Sequence, residues 1–323
     1  MIRGMRQKVV DLDAKKVLLA DMRHSEEEAD SYADLNCEGF GRIRRYETFS
    51  IHLHDSLPSK AMYRGLPERT PFFTQVFQLA GCNWRCWYCF VDDALLSADE
   101  TRARWFSVEE AFDLFLEDPR ANEVSAIDLS GGQPDLAPEW CLWTLQELDR
   151  RGLQNRYKVW IDDNLSGSFV RAYLEDADIA YMAQHPSHSR VGCFKGYTAE
   201  SFAFNTKTHP EAFQAQFRVM AELIDAGFDM YAYATFTAPQ RDPDVSSHMA
   251  RFVDRLQEVH ELLPLRTCPL EIKPFAAARG RMNGAMERSI ALQHDAARAW
   301  ENELLARFDQ QQLALPFEAV SLR

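Results

Sequence analysis

From about residue 72 onward, apolar and polar positions follow two alternating periods along the chain. Short segments rich in Val, Ile, Phe and Tyr predict β-strands, and segments with apolar residues three or four positions apart predict helices. Phe213, Phe217, Met220 and Ile224, for example, lie on one helical face that ends at Gly227. The predicted strands span residues 72–80, 125–130, 157–162, 190–195, 230–236 and 270–275.

Local signals mark the ends of two helices between these strands. Ser107 and Glu110 have the spacing of a capping box at the start of one helix. Residues 139–151 predict another, with Gly152 just past its end, where a left-handed cap is common. The alternation predicts an α/β protein with parallel strands and right-handed crossovers. Six units are too few to close an eight-fold barrel, so we expect a curved, partial (β/α)6 barrel.

The first 70 residues break this pattern. Their periodicity is poor, an acidic stretch covers residues 25–30, and glycines and prolines interrupt the remainder. Several aromatic residues argue against disorder. We therefore expect residues 1–70 to form an N-terminal extension that packs on the core, residues 71–280 to form the partial barrel, and residues 281–323 to form a C-terminal helix and tail.

Composition and charge narrow the expected environment and partners. No apolar run reaches the roughly 18 residues that suggest a membrane helix, and the N-terminus does not resemble a secretory signal. Seven cysteines, three of them clustered, fit a reducing cytoplasm better than a disulfide framework. A net charge of −13 repels nucleic-acid phosphates, so a nucleic-acid substrate is disfavoured.

The most specific chemical feature is a run of three cysteines, Cys82, Cys86 and Cys89, spaced C-x3-C-x2-C. Three thiolates on one loop are soft ligands that suit iron or zinc. A structural zinc site would need a fourth ligand, and no nearby Cys or His supplies one. A 4Fe–4S cluster held by three cysteines would leave one iron open. A zinc knuckle and purely structural thiols are the alternatives.

This spacing resembles the signature loop of the radical S-adenosylmethionine (SAM) superfamily, and the resemblance covers roughly residues 72–280. It implies a partial barrel in which Cys82, Cys86 and Cys89 hold a 4Fe–4S cluster. It also implies that SAM chelates the open iron through its amino and carboxylate groups. Tyr88, just before the last cysteine, would lie against the adenine of SAM.

The segment Ser130-Gly131-Gly132-Gln133-Pro134, after the second strand, is similar to the Gly-Gly-Glu-Pro motif of that superfamily. The resemblance implies a backbone edge that hydrogen-bonds the SAM amino group. The two glycines permit a close backbone approach, and Pro134 fixes the turn. Gln133 replaces the family's glutamate and loses its charge, which predicts weaker binding of the amine. Taken alone, the segment could also be an ordinary strand-to-helix turn.

Further positions are most similar to glycyl-radical-enzyme activases of the pyruvate formate-lyase activating type. Asp162, with Asp163 beside it, would meet the SAM amine or a nearby cation; a solvated acidic turn is the alternative. Lys195 would pair with the SAM carboxylate. Cys193 replaces an aspartate of the activases and is either a hydrogen-atom donor or a buried small hydrophobe. His248 would contact the ribose or methionine part of SAM, or face solvent at a helix start.

Two tryptophans and three other cysteines complete the candidates. Trp84 and Trp87, in the cysteine loop, are expected to lie over the cluster or the cofactor and to exclude water. Cys37, Cys141 and Cys268 show no paired spacing, so an auxiliary cluster is a minority interpretation.

The resemblance implies an oxygen-sensitive enzyme that uses an external one-electron reductant of the flavodoxin or ferredoxin type. SAM would be cleaved to methionine and a 5′-deoxyadenosyl radical, which abstracts hydrogen from a small-molecule or nucleoside substrate. One alternative is an activase that forms a glycyl radical on a partner enzyme. Another is a non-catalytic iron–sulfur electron carrier or SAM sensor. No residue identifies the hydrogen to be removed, or distinguishes an oxidoreductase from a lyase or a transferase.

Overall fold

The computed structural model describes residues 2–29, 33–47, 71–316 and 319–322. The strands in these ranges are β1 (Val10–Asp11), β2 (Lys16–Ala20), β3 (Ala33–Asn36), β4 (Gly41–Glu47), β5 (Pro71–Gln78), β6 (Ala103–Ser107), β7 (Val124–Ser130), β8 (Lys158–Asp163), β9 (His188–Phe194), β10 (Met230–Thr235) and β11 (Thr267–Leu270). An eight-stranded sheet in the order β11-β10-β9-β8-β7-β5-β4-β3 is the centre of the molecule, and β1, β2 and β6 form a smaller sheet beside it.

Six neighbouring strands of the large sheet, β5 and β7 to β11, are parallel. The first five of them overlap the predicted strands, and the sixth lies next to its predicted position, which confirms the predicted α/β fold with a parallel sheet. In the described part of the chain, β11 and β3 are the two edges and do not pair with each other. The sheet is therefore open, and the structure shows no closed barrel.

The sixth predicted strand is wrong in its position, because the strand spans Thr267–Leu270 and not residues 270–275. Its last paired residue is Leu270, opposite Thr235. Beyond that point the backbone of Ile272 pairs with a helix side chain: its N–H donates to Gln293 Oε1 at 2.8 Å, and its carbonyl accepts from Gln293 Nε2 at 3.0 Å. The side chain of Gln293 thus replaces the pairing that would have continued the strand.

The helices of the described residues are α1 (Ile2–Arg6), α2 (Val108–Glu117), α3 (Pro138–Arg151), α4 (Phe169–Tyr173), α5 (Asp176–Gln184), α6 (Ala199–Thr206), α7 (Phe213–Asp225), α8 (Val245–Val259), α9 (Ala276–Arg279), α10 (Gly284–Arg307) and α11 (Gln310–Leu313). The predicted capping box is present at α2, and Gly152 ends α3 with φ = 70°. Every helix in these ranges is too short or too polar to span a bilayer.

The two faces of the parallel strands have different neighbours, because successive side chains point to opposite sides. One face carries apolar side chains such as Leu129 and Ile161, which pack with the helices in the main hydrophobic core. The opposite face carries Asp128 and Trp160, which lie opposite each other in the β7–β8 register. This second face, called the cavity face below, borders the site.

The N-terminal segment contributes strands to the large sheet. β4 pairs antiparallel with β5 along its whole length, from Gly41 opposite Phe77 to Glu47 opposite Pro71, and β3 pairs with β4. Arg6 of α1 forms a two-pronged ion pair with Glu139 of α3, with Nη–Oε distances of 2.9 and 2.5 Å. The described parts of this segment therefore pair with the large sheet and contact the helix α3.

Candidate functional site

A cavity of about 1120 Å³, counted with its open mouth, lies on the cavity face at the carboxyl ends of the parallel strands. Ligands bind at this edge of open α/β sheets. The cavity is lined by Arg44, Cys82, Trp84, Cys86, Tyr88, Cys89, Phe90, Val91, Leu96, Asp128, Ser130, Gly131, Gly132, Gln133, Asp162, Asp163, Asn164, Cys193, Lys195, Tyr233, Leu270, Glu271, Ile272 and Phe275.

The loop that follows β5 brings Cys82, Cys86 and Cys89 to one wall of this cavity. The backbone N–H of Trp84 lies 3.4 Å from Cys82 Sγ, and Nδ2 of Asn164, just after β8, lies 3.8 Å from the same sulfur. Both contacts orient Cys82 and favour its thiolate form. No sequence signal had marked Asn164 as a partner of the cysteines.

Arg85 lies inside the cysteine loop and binds backbone carbonyls in the first half of that loop. Its Nη1 donates to the carbonyls of Cys82 and Trp84 at 2.7 and 2.8 Å. Its Nη2 donates to the carbonyl of Leu96 at 3.0 Å. The guanidinium therefore satisfies backbone carbonyls of this irregular loop.

Arg281, between α9 and α10, holds the second half of the loop from a distant part of the chain. It donates to the carbonyls of Trp87 at 3.1 Å and Val91 at 3.0 Å, and also to that of Cys89. Its Nη1 pairs with Asp93 Oδ1 at 2.6 Å. Sequence reasoning missed this residue, because a lone arginine about 190 positions away gives no local signal.

Burial raises the pKa of Cys86 to about 12 and that of Cys89 to about 11, and it also raises the pKa of Cys82. The charge of Lys195 acts in the opposite direction on all three. The thiols are therefore protonated at neutral pH while no metal is bound. A metal that binds here must displace three protons, and it would then remove the cost of burying thiolate charge.

The arrangement fits a multi-iron cluster better than one ion. A single tetrahedral zinc ion holds its sulfurs about 3.8 Å apart, given Zn–S bonds of about 2.3 Å. No three Cys, His, Asp or Glu side chains among the described residues converge closely enough for one ion, the loop cysteines included. In an iron–sulfur cluster each cysteine binds a different iron, so the three sulfurs stay further apart. Three cysteine thiols on one cavity wall are the donor type that such a cluster requires.

The turn after β7 brings Gly131 and Gly132 into contact with the cysteine loop. Both have positive φ, 61° and 58°. A Cβ on Gly132 would lie 2.4 Å from the carbonyl oxygens of Leu79 and Gly81, so no side chain fits there. The N–H of Gln133 donates to Gly81 O at 2.8 Å. The glycine turn is thereby held directly against the start of the cysteine loop.

The Gln133 side chain is engaged within the protein and does not point a free amide at a ligand. Its Nε2 donates to Asp163 Oδ1 at 2.7 Å, and its Oε1 accepts from the N–H of Asn164 at 2.9 Å. Burial and the nearby charge of Asp135 raise the pKa of Asp163 to about 8, against the attraction of Arg190. Gln133 therefore joins the ends of β7 and β8.

Lys195, just after β9, is one of two basic side chains that line the cavity; the other is Arg44. Burial lowers its pKa, the neighbouring Cys193 and Tyr88 raise it, and the net direction is upward, so the ammonium stays charged. Among the described residues, no carboxylate forms an ion pair with its Nζ. Nζ lies 6.0 Å from the centre of the Tyr88 ring, whose hydroxyl hydrogen-bonds Thr235 Oγ1 at 3.1 Å.

Cys193 and Asp162 also face this cavity. Cys193 packs among Trp160, Val191 and Tyr233 while lining the cavity, and burial raises the pKa of its thiol to about 12. It is thus a buried small side chain that also borders the ligand space. Asp162 accepts a hydrogen bond from Ser130 Oγ at 2.7 Å, so the neighbouring strand positions its carboxylate.

Three residues expected at the site do not line the cavity. His248 lies in the first turns of α8, where its Nδ1 is 2.6 Å from Asp242 Oδ2. Pro134 is buried in a short 3-10 turn behind the glycines. Trp87 is buried, with its Nε1 donating to Asn205 Oδ1 at 3.1 Å. Short motifs predict the presence of such side chains but not the direction in which they point.

The remaining cysteines lie elsewhere. Cys37, Cys141 and Cys268 are buried, and no disulfide involves any of the seven cysteines, all of which the structure describes. Cys141 Sγ lies 3.5 Å from His188 Nε2 inside the main core. In the described part of the chain, nothing groups these three into a second metal site.

Neither a family model nor a curated protein matches this chain. Solved structures with a likeness to it include SuiB from Streptococcus suis bound to precursor peptide SuiA, with 14% identity, 57% of this chain covered and a TM-score of 0.40. The match covers 36% of the SuiB chain, so this chain corresponds to about a third of that protein.

Two further solved structures show a likeness of the same order. A radical SAM methyltransferase from Sphaerobacter thermophilus has 12% identity, with 82% of this chain and 73% of that chain covered and a TM-score of 0.43. A cysteine-to-alanine mutant of spore photoproduct lyase has 13% identity, with 67% and 59% covered and a TM-score of 0.40. At this level of identity and superposition, the likeness carries no weight for function.

Proposed function

We propose that this chain is a radical SAM enzyme in which Cys82, Cys86 and Cys89 hold a 4Fe–4S cluster. The observation that carries the proposal is their convergence with the glycine turn and Lys195 on one cavity at the carboxyl ends of the parallel strands. In this proposal the open parallel sheet is the partial barrel of that superfamily. The substrate is a small molecule or a nucleoside that enters the same cavity.

When bound, the cluster supplies the electron that cleaves SAM to methionine and a 5′-deoxyadenosyl radical, which takes hydrogen from the substrate. The protein's own residues bind and orient the reactants. Lys195 offers its ammonium to the SAM carboxylate, and the backbone of Gly131 and Gly132 offers a side-chain-free surface to the methionine portion. The ring of Tyr88 stacks on the adenine. Trp84 lines the cavity and excludes water.

The proposal includes an external one-electron reductant of the flavodoxin or ferredoxin type. The cysteines would lose their cluster to oxygen, so we place the enzyme in the reducing cytoplasm. Activation of a partner enzyme by glycyl-radical formation is the alternative reaction of the same site. Lys195 agrees with that alternative, whereas His248 lies outside the cavity.

The direct test is anaerobic reconstitution with iron and sulfide, followed by addition of dithionite and SAM and detection of 5′-deoxyadenosine by mass spectrometry. We expect the product from the wild type and none from Cys86→Ala, which should bind less iron. Cys141→Ala is the matched control: it removes a buried thiol outside the cavity and should retain both cluster and product.

Full iron loading of Cys86→Ala would contradict the ligand assignment. A cluster-loaded wild type that binds SAM but never cleaves it, in the presence of cell extract as a source of substrate, would favour the SAM sensor or electron carrier. Product formation that requires a partner protein, with a glycyl radical appearing on that partner, would favour the activase.

A further inference from the structure

The cavity contains a polar wall with Asp162, for which the resemblance implies contact with the SAM amine or a nearby cation, and Asp128, to which the proposed function assigns no ligand. We propose that this wall, formed by Asp128 of β7 and Asp162 of β8, binds a protonated amino group of the substrate. The inference deepens the proposed function and rests on it for the role of the ligand as substrate. It concerns a region deeper along the strands than the glycine turn, since Asp128 precedes Ser130 by two residues on the cavity face.

Asp128 provides the main observation. Only 3% of the residue is exposed, yet it lines the cavity. Its Oδ1 has no hydrogen-bond partner among the described residues. A buried carboxyl oxygen without a partner is costly, because the desolvation of the group is not compensated. A ligand that donates a hydrogen bond to this oxygen would remove the cost.

Thr74 adds a second unpartnered group on the same face. Thr74 of β5 is fully buried and pairs in register with Ala126, two residues before Asp128. Its Oγ1 has no hydrogen-bond partner in the described ranges. Because paired residues share a face, the two unpartnered oxygens belong to adjacent strands on one side of the sheet.

Asp162 supplies a carboxylate that is already held in place. Its Oδ2 accepts from Ser130 Oγ at 2.7 Å, and its Oδ1 accepts from Trp160 Nε1 at 3.1 Å. Each carboxylate oxygen has two acceptor positions, so each retains capacity for a further donor. Asp162 can therefore accept from a ligand without losing its own orientation.

The charges that face Asp128 come from β8, which pairs with β7, and from β4, which lies beyond β5 in the sheet. Burial and the carboxylate of Asp162 raise its pKa well above the usual value, and Arg44 and Arg42 of β4 act in the opposite direction. The net direction is upward, so the cations of the protein do not fully compensate the two carboxyls. An ammonium group, with one positive charge and three N–H donors, supplies the missing charge and the missing donor together.

The remainder of the cavity indicates an apolar body for this ligand. Phe90, Tyr233, Leu270, Ile272 and Phe275 line it, with Phe90 and Phe275 in edge-to-face contact at 6.2 Å between ring centres. An amine attached to an aromatic or aliphatic skeleton would place its charge on the polar wall and its carbon atoms on these side chains. Its C–H bonds would then lie in the same cavity as the SAM site.

The test uses 2-phenylethylamine as probe and titrates it into the full-length, reconstituted protein by anaerobic calorimetry, with 2-phenylethanol as the neutral match. We expect the amine to bind at least tenfold more tightly than the alcohol. Asp128→Asn should remove this preference while leaving alcohol binding unchanged. Asp113→Asn, an exposed carboxylate on α2, is the control and should behave as the wild type.

Asp128→Asn preserves side-chain shape and removes a buried carboxyl group whose Oδ1 has no described partner, so its melting temperature should equal or exceed that of the wild type. This comparison separates lost binding from lost folding. Tighter binding of phenylacetate than of the amine would overturn the inference in favour of an anionic substrate. Equal binding of amine and alcohol, or binding of neither, would also overturn it.

Repeating the titration with Cys86→Ala separates this inference from the proposed function, because the polar wall does not require the cluster. Amine binding by that variant, with no 5′-deoxyadenosine from the wild type, would leave the amine site standing and refute the radical chemistry. Formation of 5′-deoxyadenosine by a wild type that shows no preference for the amine would support the radical chemistry and refute the amine site.

Discussion

At the scale of single residues, Lys195 determines the charge of the cofactor end of the cavity. The groups with the largest effect on its ammonium are thiols and a phenol, and no described carboxylate pairs with it. An anionic ligand group would therefore meet a cation that is already oriented and not engaged in an ion pair with another described side chain. Its distance from the protein's own carboxylates is what makes this cation useful for binding.

We predict that Lys195→Met weakens SAM binding by roughly 10- to 100-fold, because one charged hydrogen bond contributes about 1.5–3 kcal/mol. The measurement is equilibrium dialysis of labelled SAM with the reconstituted protein. Lys8→Met, a change at an exposed lysine, is the control and should leave the dissociation constant unchanged. An unaltered dissociation constant in Lys195→Met would remove this residue from the SAM site.

The raised pKa of Asp163 predicts that the stability of the protein depends on pH. Its pKa is raised to about 8 by burial and by Asp135, so its contribution to stability is fully present below about pH 4 and is lost as the pH rises to about 8. Asp163→Asn should keep the hydrogen bonds to Gln133 and Leu165 and remove this titration.

The free energy of unfolding of Asp163→Asn, relative to the wild type, should therefore rise by roughly 1–3 kcal/mol between pH 5 and pH 8. Urea unfolding at the two pH values measures this difference. Asp225→Asn, at an exposed helix position, provides the comparison and should show no such change. Parallel pH profiles for Asp163→Asn and the wild type would contradict the assigned titration.

At the scale of elements, the glycine turn after β7 depends on contact with the cysteine loop. Gly132→Ala would place a Cβ 2.4 Å from two carbonyl oxygens at a positive φ, whereas a Cβ on Gly152, also at positive φ, meets nothing within 4 Å. We predict that Gly132→Ala lowers the free energy of unfolding by about 2–4 kcal/mol and weakens SAM binding.

Gly152→Ala is the matched control, since it changes φ preference alone and should cost only about 1 kcal/mol. Chemical unfolding and SAM dialysis of both variants make the comparison. Equal losses in the two variants would show that backbone preference, and not the contact with the cysteine loop, accounts for the effect.

Arg281 provides a prediction for the cysteine loop. Arg281→Met removes three donors to loop carbonyls, so we expect the iron affinity of the reconstituted protein to fall roughly 10- to 100-fold, the usual effect of losing groups that orient metal ligands. The measurement is the iron retained per chain during a chelator challenge. Arg279→Met, two residues away and exposed, should retain iron as the wild type does. Equal loss of iron in the two variants would show that the hydrogen bonds of Arg281 to the loop carbonyls do not account for iron retention.

These elements differ in how far the sequence could predict them. The parallel strands and the cysteine triplet were predictable, because periodicity and spacing are local properties. The anchoring by Arg281 and the displacement of the sixth strand by Gln293 were not, since each depends on a side chain distant in sequence. His248 is a further example. Its local sequence is the same whether the side chain points into the cavity or, as in the structure, binds Asp242.

At the scale of the whole molecule, the N-terminal segment supplies one side of the large sheet. Poor periodicity concealed β3 and β4, because short strands near an edge carry no clear alternation. Val17, Leu18 and Leu19 of β2 are buried in the main core, which joins the small sheet to the large one. The boundary that we expected near residue 70 therefore separates two patterns of sequence and remains untested as a boundary between folding units.

We predict that a chain starting at Pro71 aggregates, because β5 would lose its pairing with Gly41–Glu47 and expose an edge. Size-exclusion chromatography measures this. A chain starting at Gln7 keeps all described strands and should remain monodisperse, although it loses the ion pair of Arg6 with Glu139. A soluble, monomeric fragment 71–323 would show that the barrel region folds alone.

The anchor at Arg281 has a consequence for biosynthesis. Arg281 and Cys89 are separated by 192 positions, so a ribosome that has just made the loop needs roughly 10–40 s more to make its anchor, at about 5–20 residues per second. During that interval the three thiols of the nascent chain have no fixed arrangement. Given the proposed cluster, we expect iron–sulfur delivery to be productive only after translation of the chain is nearly complete.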